Sequence, residues 1–218
     1  MKSMGDVITF LREGMKFQER RMRTFERMFG VTAQSRILDV GGYHQYWYFL
    51  DNMPQVTLLN IYPPGPDVPA SFATTVGNAC AMTYPDGAYD IAFSNSVIEH
   101  VGGPKEQAAF ASEVRRVGKG YYVQAPYRWA LVEPHFIAPL LHWLPRPIYR
   151  KLARWLSVRG WVAKPSQREV DEMIDEVRLP TYKDFQTYFP DATIHREKFL
   201  GLTKSLIAVR LPQAQPKP

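Results

Sequence analysis

Short apolar segments alternate with helical patterns through the middle of this chain, and this alternation restricts the possible folds more than any other feature of the sequence. The apolar segments cover residues 36–40, 56–61, 72–76, 89–94 and 120–125. Helices are predicted between them, over 47–53 and 104–117. Strands that alternate with helices are typical of a parallel, doubly wound α/β sheet.

The segments on either side complete the predicted architecture. Residues 6–29 carry apolar side chains at helical spacing and end at Gly30, which predicts a helix or a helix pair over the core. Residues 192–199 and 204–210 are joined by Gly201 and predict an antiparallel hairpin. We therefore expect a mostly parallel seven-stranded sheet that ends in an antiparallel C-terminal hairpin.

The stretch between the fifth strand and the hairpin has a different composition. It is rich in aromatic residues, proline and arginine, without a clear strand, and it predicts a helical insertion after strand five. One helical face within it carries the apolar residues Ile148, Leu152, Trp155 and Leu156. Arginines lie off that face, which predicts a basic amphipathic helix.

The composition favours one soluble domain. With 218 residues, 45% of them hydrophobic, the chain can bury one sizeable core. We divide the single domain, 1–218, into an N-terminal helical segment (1–30), a first half (31–125), the insertion (126–180) and the hairpin region (181–212). The opening segment is interrupted by Asp6, Arg12 and Glu13, and the most apolar stretch, 136–143, is cut by Pro139. We therefore expect neither an export signal nor a membrane span, and a cytoplasmic location.

Positive charge is concentrated in one region. The net charge is +6 and the pI is about 9.4, which suits a nucleic acid, an anionic membrane surface or a phosphorylated substrate. Cationic residues occur between 146 and 168 without an Asp or Glu among them: Arg146, Arg150, Lys151, Arg154, Arg159, Lys164 and Arg168. A peripheral membrane contact through the insertion is therefore one alternative, and the oligomeric state is left open.

The turn after the first strand is the first place to look for a ligand, because open parallel sheets bind ligands at the carboxyl ends of their strands. This turn contains Asp39, Gly41 and Gly42. It lacks the GxGxxG pattern that receives the pyrophosphate of NAD. A carboxylate placed before glycines instead suits a cofactor that carries its own cation.

In order from residue 36 to residue 125 the chain resembles the class I S-adenosylmethionine (SAM)-dependent methyltransferases, of the methyltransferase type 11 kind. The matching segments are Asp39 with Gly41, then 59–61, 77–79, 84–101 and 113–117. The resemblance implies a Rossmann-like fold and SAM as cofactor. The implied cofactor-binding residues are Asp39, Gly41, Gly42, Asn60, Ile61, Gly77, Asn78, Ala79, Ser94 and Asn95. The chain departs from the family at Asn60 and Asn78, where acids are usual, and neutral amides form weaker hydrogen bonds there.

Three residues are candidates for catalysis. Glu99 and His100 follow the fourth strand, and His135 follows the fifth. A histidine is a usable base at neutral pH, and a hydroxyl acceptor must lose its proton during methyl transfer. A structural or substrate-orienting role for both histidines is the alternative.

The same region supplies candidates for a metal and for the acceptor. Glu99, His100, Glu133 and His135 together could bind a divalent cation such as magnesium, although their spacing fits no fixed motif, and we assign no metal ligand. The insertion could form a lid over the acceptor, with the substrate-binding candidates Tyr127, Trp129, Glu133, His142 and Trp143. Packing of these aromatic residues onto the domain is the alternative.

The leading functional hypothesis is O-methylation of a small-molecule, saccharide or glycolipid hydroxyl. A membrane-associated methyltransferase of a lipid or quinone-like acceptor is the second. An RNA methyltransferase is the third; it is disfavoured because 94–97 lacks the Asn/Asp-Pro-Pro-aromatic pattern of base-amine methyltransferases and no nucleic-acid-binding module is visible. A non-catalytic binding protein with the SAM fold is the fourth.

Overall fold

The computed structural model describes the backbone of residues 4–212 and the side chains of residues 16–212. Its helices are α1 (Met4–Phe29), α2 (Pro104–Val117), α3 (Arg146–Ala153), α4 (Val158–Ala163), α5 (Gln167–Glu176) and α6 (Tyr182–Tyr188). Its strands are β1 (Arg36–Val40), β2 (Gln55–Asn60), β3 (Ala73–Val76), β4 (Tyr89–Asn95), β5 (Gly118–Pro126), β6 (Val132–Glu133), β7 (Ala138–Pro139), β8 (Thr193–Phe199) and β9 (Leu202–Arg210). Short 3-10 helices cover His44–Phe49, Ile98–His100 and Leu141–Trp143.

Seven strands form one sheet in the order β3-β2-β1-β4-β5-β9-β8. The first five of these are mutually parallel, and β9 runs antiparallel to both of its neighbours. The predicted fold class, a mostly parallel doubly wound sheet with a C-terminal antiparallel hairpin and a helical insertion after strand five, is therefore confirmed. Because β1 lies between β2 and β4, the turn that follows it opens at the middle of the sheet, where such folds bind ligands.

The core lies on both faces of the sheet. On one face Phe25 of α1 contacts Trp47, Phe93 and Tyr122 at ring-centroid distances of 6.0, 4.9 and 5.4 Å. On the other face α2 buries Phe110 and Val114 in a second apolar cluster. Strands that are covered on both faces carry continuous apolar runs, which explains the pattern of the sequence.

The N-terminal pattern forms one helix rather than a pair. Helix α1 ends at Phe29, and Gly30 follows with φ of +58°, the left-handed conformation that commonly terminates helices. The apolar positions predicted before residue 16 lie outside the described side chains. In the described part of the chain, no helix has both the length and the apolar character needed to cross a membrane.

The helix predicted over 47–53 is wrong. A 3-10 helix, His44–Phe49, occupies this place instead and ends before the predicted helix would have reached its second turn. Its Trp47 is fully buried, and its indole Nε1 donates a hydrogen bond to Asp39 Oδ2 at 2.8 Å. The hydrogen bond joins two residues that are eight positions apart and holds the segment between them in a short connection. Helical periodicity in the sequence does not reveal such a contact.

The amphipathic face predicted in the insertion is wrong at three of its four residues, since only Leu152 packs against the core of the insertion. Helix α3 ends at Ala153, before Trp155 and Leu156, and it buries Tyr149 and Ala153 against the apolar cluster of the insertion. The predicted core position Ile148 is 47% exposed, and Trp155 is 62% exposed. The insertion therefore has a small core of its own and leaves several large apolar side chains in solvent.

Candidate active site

Two glycines shape the turn after β1. Gly41 has φ of +76°, its N–H donates to Leu59 O at 2.7 Å, and a Cβ there would lie 2.6 Å from Val97 Cγ2. A Cβ on Gly42 would lie 1.7 Å from Asp39 Oδ2. Because real Cβ contacts are never this short, both positions require glycine, and the backbone passes directly over the Asp39 carboxylate.

Asp39 is buried beneath this turn, and only one of its two carboxylate oxygens accepts a hydrogen bond from a described residue. The residue is 1% exposed, Oδ2 accepts from Trp47 Nε1, and Oδ1 has no hydrogen-bond partner among the described residues. Burial in apolar surroundings raises the pKa of this carboxyl to about 7, against the smaller opposing effect of the Trp47 bond. A cation bound beside the carboxylate would compensate the charge that the fold leaves unpaired.

The asparagine at the end of β2 holds the same turn. Asn60 Nδ2 donates to Gly42 O at 3.1 Å, a bond that an ionised aspartate could not make. The N–H of Gly77 donates to Asn60 O at 2.9 Å, so the predicted ribose and adenine positions are adjacent. A cavity of about 320 Å³ opens beside Gly42 and Asn60.

The remaining cofactor candidates have different environments. Ile61 is 64% exposed, Asn78 is exposed and accepts from Cys80 N at 2.9 Å, and Ala79 packs against the core. Ser94 is fully buried, and its hydroxyl donates to Val40 O at 3.0 Å. The Ser94 side chain therefore joins β4 to β1.

Asn95 is held by an arginine that the sequence did not single out. Arg21 of α1 is 5% exposed, and its Nη1 donates to Asn95 Oδ1 at 2.5 Å and to Gln124 Oε1 at 3.2 Å. Its Nε and Nη2 donate to the two carboxylate oxygens of Glu197 at 3.1 and 2.7 Å. Arg21 and Glu197 are 176 residues apart, so no local pattern in the sequence could have paired them.

Four candidate residues meet in one polar cluster, defined here as Glu99, His100, Glu133 and His135. Glu133 Oε1 lies 2.7 Å from His135 Nδ1, and His135 Nε2 lies 3.2 Å from His100 Nε2. Glu99 is fully buried, and neither of its carboxylate oxygens has a hydrogen-bond partner among the described residues. The structure thus brings together residues that follow two different strands, as the sequence predicted.

The charges in this cluster act on one another. Burial opposes the charged form of His135, but the hydrogen bond and charge of Glu133, together with the charge of Glu99, outweigh burial and raise the His135 pKa. Burial raises the pKa of Glu99 to about 7. His100 is exposed as a whole residue, but its ring faces His135. Loss of solvation around the ring, and then the positive charge of His135, lower the pKa of His100 to about 4.

A second cavity, of about 370 Å³, lies against this cluster and under the insertion. Its lining includes Glu133, His135 and His142 of the predicted site, and also Arg128, Arg146 and Arg178. His142 is 3% exposed, and its two ring nitrogens have no hydrogen-bond partner among the described residues. The cavity therefore presents polar groups that no neighbouring side chain satisfies.

The other predicted acceptor residues are placed elsewhere. Tyr127, Trp129 and Trp143 are not among the residues that line this cavity in the described structure. Trp129 and Trp143 form an edge-to-face pair at 6.1 Å and are 51% and 43% exposed. Tyr127 packs partly against the core.

Comparison with known families gives one match by sequence. The model of the family described as "Methyltransferase domain" matches residues 39–121. This range begins at Asp39 and contains the turn, the ends of β2 to β4, and the Glu99–His100 pair. A search of curated proteins found no match to the chain.

Two solved structures with a similar fold are described as methyltransferases, and both have low sequence identity to this chain. The magnesium protoporphyrin IX methyltransferase from Synechocystis PCC 6803, solved with bound SAH, is 10% identical with a TM-score of 0.54, over 96% of this chain and 90% of that one. A SAM-dependent methyltransferase from Mesorhizobium loti is 14% identical with a TM-score of 0.51, over 82% and 91% of the two chains. At such identities the likeness shows the fold alone.

Proposed function

We propose that this chain is a class I SAM-dependent methyltransferase that transfers the methyl group of SAM to a hydroxyl of a small molecule, saccharide or glycolipid. The observation that carries the proposal is the polar cluster, which follows β4 and β5 at the ligand-binding edge of the sheet and contributes Glu133 and His135 to the lining of the 370 Å³ cavity. An acceptor in that cavity would present its reacting oxygen to the cluster.

The cofactor in this proposal lies over the turn after β1. Its ammonium group would compensate the buried Asp39 carboxylate, whose Oδ1 has no hydrogen-bond partner among the described residues. Asn60 would bind a ribose hydroxyl, and residues 77–79 would bind the adenine. Gly41 and Gly42 place no side chain between the backbone of the turn and the cofactor, and a Cβ at these positions would clash with Val97 and Asp39.

The acceptor class follows from the chemistry of the transfer. The carbon–sulfur bond of SAM breaks as the oxygen–carbon bond forms, and the hydroxyl proton leaves. Activation of a hydroxyl therefore needs groups that take the proton or stabilise the oxygen as it becomes negative. We assign this activation to Glu99, His100 and His135, with Glu133 fixing the orientation of the His135 ring.

The proposal is tested by binding and transfer measured on the full chain. We expect calorimetry to show one SAM per chain, and labelled SAM to transfer its methyl group to a hydroxyl in a panel of sugars, glycolipids and phenols. The panel also includes RNA. Label in RNA would replace the proposal by a nucleic-acid methyltransferase, and SAM binding without label in any acceptor would support a non-catalytic protein.

A second candidate, a methyltransferase that acts at a membrane surface, is favoured by the exposed side of the insertion. Trp155, Leu156, Trp161 and Val162 are 62%, 52%, 59% and 67% exposed. The guanidinium of Arg154 lies 5.3 Å from the Trp155 ring centroid. Exposed tryptophan beside arginine is typical of surfaces that enter the headgroup region of anionic bilayers.

For this second candidate we expect salt-sensitive co-sedimentation with vesicles that contain phosphatidylserine, and none with neutral vesicles. Trp161→Ala should weaken vesicle binding about tenfold, because it removes an apolar contact with the bilayer. Leu200→Ala is the matched control, since Leu200 is 85% exposed on the turn between β8 and β9, outside the insertion. Equal binding of both variants, or binding that ignores salt, would remove support for membrane docking.

A further inference from the structure

Glu99 presents a buried carboxylate that accepts no hydrogen bond within the described part of the chain. The residue is 0% exposed, and neither oxygen has a hydrogen-bond partner among the described residues. Burying an isolated carboxylate costs several kcal/mol unless a cation or hydrogen-bond donors compensate it. The fold nevertheless fixes this side chain on the 3-10 helix Ile98–His100 at the end of the sheet. Its position therefore points to a positively charged ligand.

The two imidazoles beside Glu99 are arranged to share that ligand. One ligand atom from each of Glu99, His100 and His135 lies within 4.8 Å of the other two. The facing Nε2 atoms of His100 and His135 are 3.2 Å apart. Two nitrogen atoms bound to one tetrahedral metal ion at 2.0–2.1 Å are separated by about 3.3 Å. The spacing of the rings thus matches joint coordination.

Glu133 supplies the supporting contact that metal-binding histidines usually have. Its Oε1 lies 2.7 Å from His135 Nδ1, so that this nitrogen donates the hydrogen bond. The lone pair of the neutral ring is then on Nε2, the atom that faces His100. Carboxylates in this position fix the ring of a metal ligand and increase its basicity.

We propose that Glu99, His100 and His135 bind one divalent transition-metal ion, with Glu133 as the positioning residue for His135. Two imidazoles and one carboxylate favour zinc, iron or manganese over magnesium, which prefers oxygen ligands. Three protein ligands would leave at least one coordination position open, and one of the three, His135, lines the 370 Å³ cavity.

The ion would activate the acceptor hydroxyl, and this role of the ion rests on the proposed function. Its positive charge would bind the acceptor oxygen and lower the pKa of the hydroxyl, so that the proton leaves to water and the alkoxide attacks the methyl carbon. His135 then acts as a ligand of the ion. The ion itself undergoes no change of oxidation state.

The site is tested on the full chain after treatment with a chelator, in the absence of SAM and acceptor. Calorimetric titration with Zn²⁺ should give one equivalent per chain, and Mg²⁺ at the same concentration should give none. Glu99→Gln and His100→Ala should each weaken Zn²⁺ binding at least about 100-fold, and Glu133→Gln about 10- to 100-fold. His195→Ala is the matched control, because His195 is exposed on β8, and it should bind as the wild type does.

Either of two results would overturn the metal site: no stoichiometric Zn²⁺ binding, or unchanged affinity in both Glu99→Gln and His100→Ala. Thermal melting checks the fold of each variant, and His100→Ala carries the test if Glu99→Gln does not fold, since His100 is exposed. If zinc binds but no methyl group is transferred to any acceptor, the proposed function is rejected and the metal site is not. Methyl transfer by the metal-free chain at an undiminished rate would reject the role of the ion in the reaction alone.

Discussion

Replacement of Asp39 by asparagine is expected to weaken SAM binding about 10- to 100-fold. The substitution keeps an oxygen that can accept from Trp47 Nε1 and removes the charge that would pair with the cofactor's ammonium group. Hydrogen bonds to charged groups contribute about 1.5–3 kcal/mol, which corresponds to this loss of affinity. Calorimetry on both proteins at pH 8 measures it directly.

The same substitution should remove the pH dependence that Asp39 imposes on the free energy of unfolding. Its pKa is raised from 3.8 to about 7 in the folded chain, so the folded state holds this proton more tightly than the unfolded state. The stabilisation from the protonated group is complete below about pH 4 and is lost as the pH rises to about 7, a change on the order of 4 kcal/mol. Without ligand, Asp39→Asn should therefore melt above the wild type at pH 8, by a larger margin than at pH 5.

Asp86→Asn serves as the control for both measurements. Asp86 lies before β4, at the opposite edge of the sheet, with its side chain 83% exposed. It should bind SAM with wild-type affinity and melt close to the wild type at both pH values. Wild-type SAM affinity in Asp39→Asn would contradict the assignment of the turn.

Replacement of His135 by alanine is expected to lower the kcat of methyl transfer on the order of 100- to 10,000-fold, with a smaller effect on the KM for the acceptor. His135 stands between Glu133 and His100, and its loss removes the group through which they are connected. The proposed interaction of His135 with the acceptor oxygen strengthens as that oxygen becomes negative in the transition state. The substitution should therefore lower kcat more than it weakens binding of the acceptor in the ground state. Initial rates with labelled SAM at saturating cofactor separate the two constants.

This second experiment has two controls, the SAM affinity of His135→Ala and the rate of methyl transfer by His195→Ala. Cofactor binding should be unchanged in His135→Ala, because none of the contacts of the β1 turn involves His135. His195→Ala should turn over at the wild-type rate. An unchanged kcat in His135→Ala would remove His135 from the activation step and leave His100 as the candidate.

Local patterns in the sequence predicted most of the framework. Strand β1 and helix α2 coincide with the segments predicted for them, because an apolar run that ends at a glycine pair and an amphipathic helix that begins with proline are strong signals. The approach of His135 to His100 was also predictable. Both residues follow neighbouring parallel strands, whose carboxyl ends share one edge of the sheet.

The errors and omissions come from contacts between distant residues. Trp47 turned a predicted helix into a 3-10 connection by bonding to Asp39, and the core around Phe136 decided that Tyr149 rather than Ile148 would be buried. Arg21 was not singled out from the sequence. Its role at Asn95 depends on packing that periodicity does not encode.

The Arg21–Glu197 pair also bears on the order in which the protein folds. The pair joins α1 to β8, at a sequence separation of 176 residues, and holds the end of β4 through Asn95. Contacts of such long range form late, because the chain must first lose the entropy of a large loop. The edge of the sheet assigned to SAM would therefore be completed only after β8 and β9 have docked, and a nascent chain would gain the capacity to bind cofactor only once this hairpin has been synthesised.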